Sequence, residues 1–171
     1  MTLRSILIFG VLLLFGAIWS YETAKSQDNE LDFSKVPIKK APPCIRMYDY
    51  LQTYSKKYEV PFNIAYGVAH TETRYNGPFD WDYNPRLTSI AHAYGAMQIQ
   101  VPTANSTWEN RRRITAADLL NNLELNVETS LRLLAKLKKK YGSWELALGC
   151  YNTGRPIINE YAIRITEIRQ V

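Results

Sequence analysis

The chain has 171 residues, 46% of them hydrophobic, and a formal net charge of +5. That length carries one domain of ordinary size plus extensions, and that hydrophobic share supports a packed core, which sets aside a wholly disordered or low-complexity chain. Only two histidines are present, His70 and His92, with no paired ligand spacing, so no metal site is expected; no glycine-rich phosphate loop appears either, and no cofactor is expected. The basic clusters fall at helix ends and in linkers without a nucleic-acid-binding module, so nucleic acid is not an expected partner.

The chain order starts with a positive flank, Met1-Thr2-Leu3-Arg4, and an apolar run over residues 6–19. This run has the length of a secretory segment and is short for a membrane span, so residues 1–20 read as a signal peptide or an N-terminal membrane anchor. No small-x-small cleavage pattern marks its end, which leaves cleavage and retention both open. Either way the chain is expected to be exported, facing the periplasm or cell wall, with membrane association through residues 6–19 if the run is kept. Residues 21–43 are polar and end in Ala41-Pro42-Pro43, the composition of a flexible linker. Residues 44–171 form the expected globular domain. An exported chain also permits a disulfide between Cys44 and Cys150, with two separate thiols the equal alternative.

Within the domain, Ile45, Tyr48, Leu51, Tyr54 and Tyr58 recur at helical spacing, and Val60-Pro61 ends that helix. A second helix over residues 63–73 places Glu72 on one stripe with Ile64 and Val68, stopped by Asn76-Gly77-Pro78. Residues 76–89 read as a loop, with a small β-hairpin as the alternative, and Phe79, Trp81 and Tyr83 are its aromatic residues. Residues 95–99 are expected to form a short helical turn, followed by a helix opened by Pro102. Thr115 with Asp118 is a capping signature. A long amphipathic helix follows, on which Val127, Leu131, Leu134 and Tyr141 share a face, with Gly142 as its stop. Ser143 caps an apolar helix over residues 144–151, and a final amphipathic helix restarts at Arg155-Pro156 with Ile157, Tyr161, Ile165 and Ile168 on one face.

Glu72 is the candidate for chemistry. Partial burial and the negative end of its helix both disfavour the ionised carboxyl, and a carboxyl held protonated is what a general acid needs. Trp81 is a candidate sugar platform, because sugar rings present flat C–H faces to aromatic rings.

Four short blocks extend this reading. Glu72-Thr73-Arg74 with Tyr83-Asn84-Pro85, then Ser89, then Gly95-Ala96-Met97-Gln98 with Thr103-Ala104, then Tyr151-Asn152-Thr153-Gly154, resemble in type and order the lytic transglycosylase domain of the soluble murein transglycosylases. The resemblance spans roughly residues 44–170 and departs from the family in four places. Residues 75–82 are inserted after the Glu block, Thr73 replaces the usual Ser, His92 stands where Gly is common, and Ala96 replaces Leu.

What the resemblance implies is an all-α, lysozyme-like domain acting on peptidoglycan glycan strands. Glu72 would be the sole catalytic acid and base, cleaving the bond between N-acetylmuramic acid and N-acetylglucosamine without water to leave 1,6-anhydromuramyl ends. Ser89, Met97, Gln98, Tyr151 and Asn152 match family blocks at the cleft, as substrate-binding residues. Two rivals stand beside it: a hydrolase resembling goose-type lysozyme, with Asp80 or Asp82 activating water, and a wall-binding or assembly module without turnover.

Overall fold

The computed structural model describes residues 37–109 and 113–167; residues 1–20, read above as a signal or anchor, and residues 21–36 of the expected linker lie outside the described residues. No helix of the described residues is long and apolar enough to cross a membrane. A short 3-10 turn, Ile38–Lys40, leads into α1 (Pro43–Tyr58), which Pro43 opens at a position where the missing N–H costs nothing. Met47, Leu51 and Tyr54 form its buried face, and Glu59 closes it in the left-handed region.

Helix α2 (Phe62–Thr73) buries Ile64, Ala65, Val68 and Ala69. It ends before the Asn76-Gly77-Pro78 stop: Arg74 takes φ 58, and its N–H bonds to the His70 carbonyl, so the cap lies inside the Glu72 block itself. The insertion then leaves and returns at almost one point. Tyr75 is fully buried and donates its hydroxyl to the Cys44 carbonyl at 2.9 Å, and its ring meets that of Tyr83 edge-on with centroids 4.9 Å apart. Burying a ring of that size is worth about 1.5–3 kcal/mol, enough to pin the base of the loop while its tip stays in solvent.

The hairpin exists, but not in residues 76–89. Strands β1 (Ala93–Tyr94) and β2 (Ile99–Gln100) pair antiparallel, so residues 95–98 form the tight turn of a hairpin where a helical turn was expected. The reason is a contact the sequence does not display. Asn126, fully buried on the helix that spans Leu123–Tyr141, accepts from the Met97 N–H at 2.8 Å and donates to the Tyr94 carbonyl at 2.8 Å. Gly95 (φ 79) is required there, since a Cβ would stand 2.4 Å from the Asn126 amide nitrogen and 2.5 Å from the Leu119 carbonyl oxygen.

Helices α3 (Val101–Trp108), α4 (Ala116–Asn121), α5 (Leu123–Tyr141), α6 (Trp144–Thr153) and α7 (Glu160–Glu167) complete the domain. The expected caps are present. Thr115 and Asp118 form a capping box, Ser143 accepts from the Leu146 N–H, and Gly142 takes φ 82 after α5. Helix α7 begins at Glu160 rather than Arg155, leaving Ile157 outside it and 47% exposed, because residues 154–159 bend and turn without regular structure and lay the Ile157 backbone against Gly149 of α6. Helix α5 packs on α1 and α6, α6 on α7, and α7 on α2, which in turn meets α1. That closed ring of helices brings the C-terminal ends of α2 and α6 to one cleft beside the hairpin.

Candidate active site

A cleft of about 510 Å³ runs between the hairpin, α5 and the end of α6. Glu72, Ser89, Gln98, Tyr151 and Asn152 all line it, although they come from four separate stretches of chain. Met97 does not: its side chain is fully buried, and only its backbone serves the site. Trp81, 54% exposed on the inserted loop, is also outside the lining.

Glu72 is half-buried in the last turn of α2. Burial pushes its carboxyl up from the ordinary value, and a hydrogen bond from the Tyr161 hydroxyl to Oε1 at 2.6 Å partly offsets that rise. Tyr161 itself is held well above the usual phenol range, first by burial and then by the neighbouring Glu72 carboxylate, so it remains a donor. Among the described residues Glu72 is the only carboxylate in the cleft lining; Asp80 and Asp82 sit on the inserted loop. No cluster of metal-ligating side chains occurs among the described residues.

Next to Glu72, Thr73 ties α2 to the hairpin. Its hydroxyl donates to the Ala96 carbonyl at 2.8 Å and meets the Tyr83 hydroxyl at 3.0 Å, a short bridge available to Ser or Thr alike. Gln98 sits at φ 48, and its amide nitrogen donates to the Gly95 and Leu87 carbonyls at 2.9 and 3.1 Å. The amide oxygen is the part of the side chain not used in holding the loop. Ser89 accepts from the Ala93 N–H at 3.1 Å and thereby closes the rim of the hairpin. Asn152 accepts from the Asn159 amide at 3.1 Å, which leaves its own N–H groups as cleft donors.

Tyr151 points inward. Its hydroxyl lies 2.6 Å from the Met97 carbonyl and 2.5 Å from the Ser130 hydroxyl. Burial, and then the charge of Glu72, hold it well above the usual phenol range.

The transglycosylase SLT domain model matches residues 49–164, a span that includes every residue of this constellation. The chain belongs to the transglycosylase SLT domain family. No curated protein matches it. Among solved structures it is similar to the 70-kDa soluble lytic transglycosylase in complex with bulgecin A and to the 70-kDa soluble lytic transglycosylase of Escherichia coli, each with a TM-score of 0.53 and 22% identity. Each match covers 69% of this chain and 18% of the other, so the chain spans less than a fifth of those proteins, and the likeness is one of fold.

Seen within the SLT fold, the departures have local causes. The insertion is an excursion closed at Tyr75 and Tyr83, and it does not separate Glu72 from the hairpin. His92 takes φ 54, the left-handed region that glycine occupies without strain, at the position where Gly is common. Tyr161, Asn126 and Ser130 are the residues that sequence reasoning missed. Tyr161 was visible only as one more residue on an amphipathic face, and the other two as polar interruptions of α5. A buried Asn between Leu125 and Val127 was the available signal, because a buried amide must find partners.

The two cysteines are free thiols. Cys44 is buried at the start of α1 and Cys150 lines the cleft, so the disulfide alternative is not realised.

Proposed function

We propose that this SLT-family domain is a peptidoglycan lytic transglycosylase in which Glu72 acts alone as acid and then base. The observation that carries the reading is the half-buried Glu72 carboxyl, raised by desolvation, held by Tyr161 and facing a cleft that contains no other carboxylate among the described residues. A single proton-cycling group in a sheltered cleft suits internal attack better than water activation, for which a second carboxylate several ångströms away is the usual device.

In this scheme protonated Glu72 gives its proton to the oxygen linking N-acetylmuramic acid to N-acetylglucosamine, and the C1–O bond breaks. The muramyl N-acetyl oxygen supports the cationic C1. The Glu72 carboxylate then takes the proton of the C6 hydroxyl, O6 bonds to C1, and a 1,6-anhydro ring forms with no net consumption of water. The Gln98 amide oxygen and the Asn152 amide N–H groups would orient the N-acetyl groups. We further propose that the domain faces the cell wall, exported by residues 6–19, with the part of the expected linker that precedes the Ile38–Lys40 turn as its tether.

The test is mass spectrometry of the digest. Glu72→Gln keeps the size and hydrogen bonding of the side chain and is expected to abolish cleavage of purified peptidoglycan. Wild-type protein is expected to release muropeptides with anhydro ends, whereas reducing ends only would favour the hydrolase. Asp80→Asn and Asp82→Asn are expected to leave the rate unchanged. A reporter active only outside the cytoplasm, fused after residue 43, is expected to need residues 6–19.

A further inference from the structure

Tyr151 is the most conspicuous aromatic residue of the cleft, and its hydroxyl is already committed. A phenol has one proton to donate, and the Met97 carbonyl, 2.6 Å away, can only accept; the proton therefore goes to Met97. Ser130, at 2.5 Å, must then be the donor to the phenol oxygen. Ser130 is fully buried on α5, one turn after Asn126, so the two side chains leave the helix on one face. Asn126 accepts the Met97 N–H at 2.8 Å. Both polar ends of Met97 are thus gripped from α5, its N–H by Asn126 directly and its C=O by Ser130 through Tyr151. Met97 itself is packed in the core, and the next residue is Gln98, whose backbone is held at φ 48.

We infer that Asn126, Ser130 and Tyr151 are a positioning clamp on Met97, which fixes the left-handed backbone of Gln98 and thereby presents its amide to the N-acetyl groups of the glycan. Tyr151 in this role is a positioning residue whose hydroxyl neither donates to substrate nor shares a proton with Glu72. Without the clamp the turn keeps the Thr73 and Gln98 side-chain bonds but loses its hold on both polar ends of Met97, at a place where a non-glycine residue at positive φ is unfavourable and the hairpin is only two residues deep on each side. The role assigned to Gln98 rests on the transglycosylase reading, whereas the clamp stands on geometry alone.

Two measurements on Ser130→Ala, Tyr151→Phe and the double variant test it. The first is amide hydrogen exchange in the folded protein, which needs no activity. The Met97 and Gln98 amides, which donate to Asn126 and to the Gly95 carbonyl, are expected to be protected in the wild type and to exchange faster in Tyr151→Phe. Equal protection of both amides in wild type and Tyr151→Phe would overturn the clamp. The second is steady-state cleavage of soluble glycan strands well below the lowest melting temperature. Ser130→Ala is expected to raise KM by about fivefold, equivalent to the roughly 1 kcal/mol of one hydrogen bond, with kcat and the pH profile close to wild type. The double variant is expected to resemble Tyr151→Phe rather than the product of the two single effects, since Ser130 acts only through Tyr151. Additive effects, or a pH profile displaced by Tyr151→Phe, would overturn the assignment of Tyr151 as a positioning residue. If Ser130→Ala does not fold, Tyr151→Phe alone decides through its exchange and pH profile. Failure of the wild type to cleave any glycan, with the exchange pattern as expected, would sink the transglycosylase reading and leave the clamp standing.

Discussion

Gly149→Ala probes how α7 is held against α6, and the structure supplies its size. A Cβ built on Gly149 would lie 1.7 Å from the Ile157 carbonyl oxygen and 2.8 Å from its carbon. Separations under 3.0 Å are not tolerated, and the obstacle is backbone, so the carbonyl must retreat by at least 3.0 − 1.7 = 1.3 Å. Ile157 lies three residues before α7, and Tyr161 is on the first turn of that helix. If α7 follows the retreat, the 2.6 Å bond from Tyr161 to Glu72 Oε1 lengthens by up to that amount, to at most about 3.9 Å, beyond hydrogen-bond range. Losing that one hydrogen bond to a charged group is worth about 1.5 kcal/mol, roughly tenfold in rate, so a loss of up to about tenfold is expected. The overlap costs about 1–3 kcal/mol, offset by the roughly 1 kcal/mol that Ala gains over Gly in a helix, so the protein is expected to stay folded with a modest loss of stability. The assay is initial rate on purified peptidoglycan beside a thermal melt. A folded Gly149→Ala protein cleaving at the wild-type rate would refute the idea that this crossing places Tyr161.

Three further outcomes are expected. Glu72→Gln should be more stable than the wild type at neutral pH and equal to it in acid. The folded carboxyl is raised above its unfolded value, so its stabilising share is whole below the unfolded value and lost as pH rises through the folded one, whereas Gln never ionises. Parallel melting curves across pH would contradict this. Tyr161→Phe removes the donor that favours the Glu72 carboxylate, so the alkaline limb of the rate profile should move to higher pH while the maximal rate falls about tenfold, as for one lost bond to a charged group; an unmoved limb would separate Tyr161 from the acid. Because both cysteines are free, reductant should leave the melting temperature unchanged, and iodoacetamide should label Cys150 in the cleft but not Cys44, which is buried with its thiol pushed up. Loss of stability on reduction would mean a bridge after all.

What the residue order alone determined was whatever depends on near neighbours. The limits of α1, the Gly142 stop, the Thr115–Asp118 box and the Ser143 cap follow from side chains acting within a turn of their own position, and each is present. The four family blocks likewise named Glu72, Ser89, Gln98, Tyr151 and Asn152, which the fold brings to one cleft. Tertiary structure decided the rest, because the deciding partners are distant in the chain. Residues 95–98 turn as a hairpin because Asn126, 29 residues beyond Met97, takes its N–H. The last helix starts late because residues 154–159 cross Gly149, where only a missing side chain leaves room. Glu72 meets Tyr161 across 89 residues because α7 bridges α6 and α2, a contact that the periodicity of either helix leaves unspecified.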